Sequence, residues 1–139
     1  MSGMPYKIYT DGACRGNPGP SGIGAVILDA KGKTLHEISK FIGTTTNNVA
    51  EYEALLAALD YCVKKKLSPV EILADSQLMI RQLSGQYKVK HPNMIPLHKK
   101  AKEYMAHLEV TGFTHVLREF NKKADELANL GIDEHFSKK

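Results

Sequence analysis

The stretch Ile8–Pro20 constrains the fold of this chain more than any other. Tyr6, Ile8 and Thr10 alternate with Lys7, Tyr9 and Asp11, the two-residue period of a pleated strand. Three glycines and two prolines then fall within nine residues, from Gly12 to Pro20, and such a run predicts a turn-rich loop in place of the strand. Asp11 is therefore expected at the C-terminal end of a central strand, the edge where open α/β sheets place their ligand crevice. The glycines that follow would let a ligand's backbone come close. The plainer alternative is that Asp-Gly merely opens a turn.

The rest of the chain alternates in the manner of an α/β domain. Gly22–Leu28 reads as a second strand, Asp29–Lys33 as a hairpin connection and Thr34–Ile42 as a third strand, together an antiparallel meander. The polar segment Gly43–Asn48 ends in a helix N-cap residue, and a helix is expected from about Val49 to Lys65, with Leu55, Ala58 and Cys62 on one face. Glu51 tops that apolar stripe. It is either the third-position acid of a capping box with Asn48 or a carboxylate held for chemistry, since burying it unpaired would be costly. Val70–Ala74 is a short buried strand ending in Asp75-Ser76-Gln77, where Ser76 can cap a short helix over Gln77–Leu83 and Asp75 can complement its dipole. Gly85–Pro96 is irregular, Leu97–Leu108 is a basic amphipathic helix, and Phe113–Leu117 is a last strand. Asn121 then caps a final helix carrying Asp125 in its first turn.

Crossover connections make the later strands parallel to the first, which predicts a mixed five-stranded sheet: three antiparallel meander strands, then two parallel ones, flanked by helices. All 139 residues are assigned to a single domain, with a core of about residues 5–133 and a frayed tail over 134–139. Cys14 and Cys62 have no zinc-ligand spacing and no secretory signal before them, so reduced thiols and a cytoplasmic location are expected. The N-terminus passes almost at once into the first strand, so no targeting segment is expected, and no apolar run is long enough to span a membrane. The net charge of +4 permits a polyanionic partner without demanding one.

Each acid taken singly has a structural explanation, but crossover topology makes the strands ending in Asp11 and Asp75 parallel neighbours. Glu51 and Asp125 each sit near the start of a helix that can open at the same edge. Carboxylates crowded together repel unless a cation lies between them, and oxygen-only ligands select hard ions such as Mg²⁺, with Mn²⁺ as a substitute.

Four stretches carry a family resemblance, in order along the chain: Tyr9-Thr10-Asp11-Gly12-Ala13-Cys14-Arg15-Gly16-Asn17-Pro18-Gly19-Pro20, Thr45-Thr46-Asn47-Asn48-Val49-Ala50-Glu51-Tyr52, Ala74-Asp75-Ser76-Gln77 and Lys123-Ala124-Asp125-Glu126-Leu127-Ala128. Over roughly Lys7–Ile132 the chain resembles ribonuclease HI, the type 1 ribonuclease H family. The resemblance implies a ribonuclease H-like fold and endonucleolytic hydrolysis of the RNA strand of an RNA–DNA hybrid, leaving 5′-phosphate and 3′-hydroxyl ends. It implies two Mg²⁺ ions held by Asp11, Glu51, Asp75 and Asp125, with no covalent intermediate. It further implies substrate contacts from Asn17, Asn47, Asn48 and Gln77, from backbone groups around Gly12 and Cys14, and from Thr46 to a DNA phosphate. Asn and Gln amides both donate and accept, which suits the reading of 2′-hydroxyls and minor-groove edges without a sequence preference.

The sequence departs from the best-known bacterial members twice. The basic protrusion, rich in Lys and Trp in those members, is missing, as in the compact subgroup of archaea and some bacteria. Lys88 and Lys90, with Lys99, Lys100 and Lys102, are the candidates for a weaker electrostatic handle. The loop before the final helix carries Arg118-Glu119-Phe120-Asn121 where those members have a histidine, which leaves Arg118 and Glu119 as candidates for proton transfer or product release. A monomer is expected. The competing readings are a hybrid-binding module that has lost cleavage and another nuclease or transposase on the same sheet.

Overall fold

A computed structural model describes residues 3–137. Five strands, β1 (Tyr6–Cys14), β2 (Gly19–Leu28), β3 (Thr34–Thr45), β4 (Val70–Ala74) and β5 (Val110–His115), form one sheet in the order β3-β2-β1-β4-β5. β1, β2 and β3 pair antiparallel, while β4 pairs parallel with both β1 and β5. This is the expected mixed sheet. Four helices complete the fold: α1 (Asn47–Lys65), α2 (Gln77–Leu83), α3 (Ile95–Met105) and α4 (Lys122–Ser137).

α1 and α4 cover opposite faces of the sheet. Ile8 on β1 and Ala25 and Ile27 on β2 pack with Leu55, Ala58, Leu59 and Cys62 of α1 in the main core. The alternate residues of β2 point the other way, and two of them are glycines. A β-carbon on Gly24 would lie 2.1 Å from the Ala124 carbonyl oxygen, and one on Gly22 would lie 2.2 Å from that of Ala128. The missing side chains let the α4 backbone rest on the sheet. Ser39 of β3 adds a 2.6 Å hydrogen bond to the Leu127 carbonyl.

Several boundaries differ from expectation, for local reasons. β1 does not stop at Asp11: it runs to Cys14 beside a β2 that starts at Gly19, with Cys14 paired to Ser21, and only Arg15–Pro18 lie between the strands. Its parallel pairing with β4 does end at Thr10, so Asp11 stands at an edge on that side alone. β3 likewise extends past Ile42 to Thr45, pairing with the lengthened β2. α1 is capped by Thr46, whose hydroxyl accepts from the Val49 N–H at 3.3 Å, and not by Asn48. α3 begins at Ile95, two residues before the expected start, because Pro96 falls in the first turn, where a missing N–H costs nothing. β5 starts at Val110 because its partner is Val70; the apolar Leu117, expected in the strand, is 58% exposed beyond it. The tail expected to fray is helical as far as Ser137, with the His135 ring stacked on Phe41 at 3.7 Å between centroids. Lys138 and Lys139 lie outside the described residues.

Candidate active site

The site begins from strand register. Thr10 of β1 lies beside Ala74 of β4 in the parallel ladder, so the next residue of each chain, Asp11 and Asp75, emerges side by side. Glu51 arrives from the first turns of α1, which Gly12 brings in: a β-carbon there would lie 2.3 Å from the Ala50 carbonyl carbon. At that separation the Glu51 carboxylate accepts a short hydrogen bond from the Gly12 N–H. The capping box is thus not formed, because the acid turns to the strand and Thr46 takes over the cap. Asp11, Glu51 and Asp75 each offer an oxygen, all within 4.8 Å of one another.

Asp125 comes from the first turn of α4 and lies near enough to the Asp11 carboxyl to help raise it. Asn129, one turn on, donates to both the side chain (3.2 Å) and the carbonyl (3.0 Å) of Asp125. Arg15 from the β1–β2 loop reaches the Asn129 side-chain oxygen at 3.2 Å and pairs with Asp133 at 2.8 Å.

Asp11 and Glu51 are each only 6% exposed. Burial, and then the charge of Glu51, push the Asp11 carboxyl far above the usual carboxylate range, with Asp75 and Asp125 adding to the rise. Burial also raises Glu51, against the hydrogen bonds from Asp11 and the Gly12 N–H and the positive charge of Arg118. A buried cluster with only oxygen donors, too crowded to hold its full charge, is chemically suited to a hard divalent cation.

Of the residues expected to read substrate, Asn17, Thr46 and Asn48 line a cleft beside the acids. The cleft, of about 320 Å³, brings them together with Glu51 and Ser76. Asn17 Oδ1 accepts from the Asn47 N–H at 3.0 Å, which ties the β1–β2 loop to the start of α1. The Cys14 thiol is turned into its own loop, 2.9 Å from the Gly16 carbonyl and 3.2 Å from that of Thr45. The Gly12 N–H is taken by Glu51. Gln77 is exposed at the first position of α2. Arg118 is close enough to Glu51 to act on it by charge, whereas Glu119 is exposed on the same short 3-10 turn.

Besides Asn129, three more residues join the site without having been singled out for it. His91 and Asn93, from the irregular segment before α3, line the far wall of the cleft. Asn121 does not cap α4 with its side chain, which instead donates to the Thr10 carbonyl at 2.9 Å and to Asp75 at 3.3 Å. Its place just ahead of the helix made it look like a cap, and no local pattern signals a contact 46 residues away.

Residues 9–131 match the family model described as reverse transcriptase-like. The chain belongs to the type 1 ribonuclease H family. It is 43% identical over 131 residues to the Bifunctional protein Rv2228c of Mycobacterium tuberculosis, spanning 94% of this chain but 36% of that relative's length. The ribonuclease H1 structure from Halobacterium salinarum superposes with a TM-score of 0.90 at 38% identity, covering 94% of this chain and 98% of that one. LC11-RNase H1, solved in complex with an RNA/DNA hybrid, gives a TM-score of 0.86 at 47% identity, over 94% and 99% of the two chains. Among the described residues, no helix of this ribonuclease H domain is long and apolar enough to cross a membrane.

Proposed function

We propose that this domain is a divalent-metal-dependent endonuclease that hydrolyses the RNA strand of an RNA–DNA hybrid, leaving 5′-phosphate and 3′-hydroxyl ends. The observation that carries the reading is the convergence of Asp11, Glu51 and Asp75 within 4.8 Å at the parallel-strand edge, with Asp125 near enough to act on Asp11. The RNA/DNA hybrid held by the similar LC11-RNase H1 supports the substrate class.

Two Mg²⁺ ions, or Mn²⁺ in their place, would supply activation of the attacking water and neutralisation of charge at the leaving oxygen. Asp11, Glu51, Asp75 and Asp125 are the carboxylates that would hold such ions. Glu51 lies both in the carboxylate cluster and on the cleft wall, where it can meet an RNA 2′-hydroxyl. Asn17, Asn47, Asn48 and Gln77 hold the minor groove, together with backbone groups around Gly12 and Cys14. Thr46 accepts at the helix cap, which leaves its hydroxyl hydrogen to donate outward to a DNA phosphate. Arg118 and Glu119 stand in the loop from which proton transfer or product release would be assisted. The domain would act in the cytoplasm as a monomer.

The decisive experiment presents an end-labelled hybrid to the protein with Mg²⁺, with Mn²⁺ and with chelator, beside an Asp75→Asn variant. Cutting of the RNA strand alone, abolished by chelator and lowered about a thousandfold or more by the substitution, is the expected result. Metal-independent binding without a cut would make this a hybrid-binding module instead.

A further inference from the structure

Asn121 is 2% exposed and stands between two of the four carboxylates. Its side-chain nitrogen donates to the Thr10 carbonyl, where the β1–β4 ladder ends, and to Asp75 Oδ2. Its main-chain carbonyl accepts from the Asp125 N–H at 3.1 Å. One residue therefore grips the Asp75 carboxylate with its side chain and the start of the Asp125 helix with its backbone. Its own side-chain oxygen is buried with no hydrogen-bond partner among the described residues. An unpartnered buried acceptor is costly, so a space-filling role would be served better by an apolar side chain. What the amide offers here is its donor.

We propose that Asn121 is a positioning residue that holds the Asp75 carboxylate in place and fixes its distance from Asp125 before metal is bound. The proposal rests on the metal-binding reading of the carboxylates given above. Asp75 lies within 4.8 Å of Asp11 and Glu51 oxygens, and the repulsion among them favours its turning away. A donor anchored on the Thr10 carbonyl resists that rotation. Groups behind the ligands commonly govern metal affinity in this way, by about 10–100-fold.

The test uses the full chain and two substitutions, Asn121→Ala and the near-isosteric Asn121→Leu. Mn²⁺ and Mg²⁺ binding to the metal-free proteins is followed by calorimetry, with thermal melts to show that each variant is folded. Turnover and hybrid KM are measured at saturating metal. Ion binding weakened about 10-fold or more in a folded variant, with hybrid KM within about twofold of the parent, is the expected result. A folded variant that binds both ions like the parent would overturn the proposal. Failure of both variants to fold would overturn it too, by assigning Asn121 to the fold. A parent protein that binds neither ion would instead sink the metal-binding reading itself, so the two failures are distinct.

Discussion

Burial and neighbouring carboxylates raise the Asp11 carboxyl from its ordinary value of 3.8 to about 10. Between those values the folded protein keeps a proton that the unfolded chain has released, so metal-free stability falls as pH rises across that interval. Glu51, raised from 4.5 to about 7, acts in the same direction over a narrower window. In chelator, the melting temperature should therefore decline steadily from about pH 5 to about pH 9. Asp11→Asn should flatten that slope and raise the melting temperature near pH 8, by about 3–5 °C for each kcal/mol relieved, while abolishing cleavage. A slope unchanged by the substitution would show that Asp11 is ionised without cost. At this scale the four acids were legible because each sits in a local motif that names it. Asn121 and Asn129 were not: Asn121 acts through contacts across elements, which leave no periodic trace, and Asn129, one turn on from Asp125, matters only through what that acid does.

Elements, more than single side chains, decide where Asp125 stands. α4 lies on β2 through Gly22 and Gly24, and its first turn carries the carboxylate. Gly24→Ala would place a methyl 2.1 Å from the Ala124 carbonyl oxygen, so the helix must lift and take Asp125 with it. Overpacking of this kind costs about 1–3 kcal/mol. Urea unfolding should show that loss, and the metal concentration needed for half-maximal turnover should rise several-fold. A variant with the stability loss but unchanged metal dependence would show that the helix relaxes without moving its acid. The same scale explains what the sequence pattern located well. β4 and α2 were found with their ends in place, since a short run that is apolar but for Glu71 and a Ser cap mark them. β1, β2, β3 and β5 were misplaced by two or three residues because their ends are set by partners: Gly and Pro read as turn residues still pair when a neighbouring strand supplies the ladder.

On the scale of the whole molecule, the formal charge of +4 is modest for a protein that would hold a polyanion, so where the cations lie matters more than their sum. Lys88, Lys99 and Lys102 line a groove of about 370 Å³ between the irregular segment and α3, beside Tyr87 and His98. Changing the three lysines to glutamine should raise hybrid KM and flatten its salt dependence, by about 0.7–0.9 of a log–log unit for each phosphate no longer neutralised. Turnover at saturating substrate should stay within about twofold. An unchanged salt slope would mean that the hybrid passes elsewhere. The mixed sheet also spreads the acids widely along the chain, at positions 11, 51, 75 and 125. During synthesis the first three can gather once β4 has left the ribosome, but Asp125 and its anchor Asn121 emerge only after β5, the strand that closes the sheet. A nascent or prematurely terminated chain would therefore carry a cluster of uncompensated charge and no complete site. The order of the elements itself delays the complete carboxylate site until the first turn of α4 has been made.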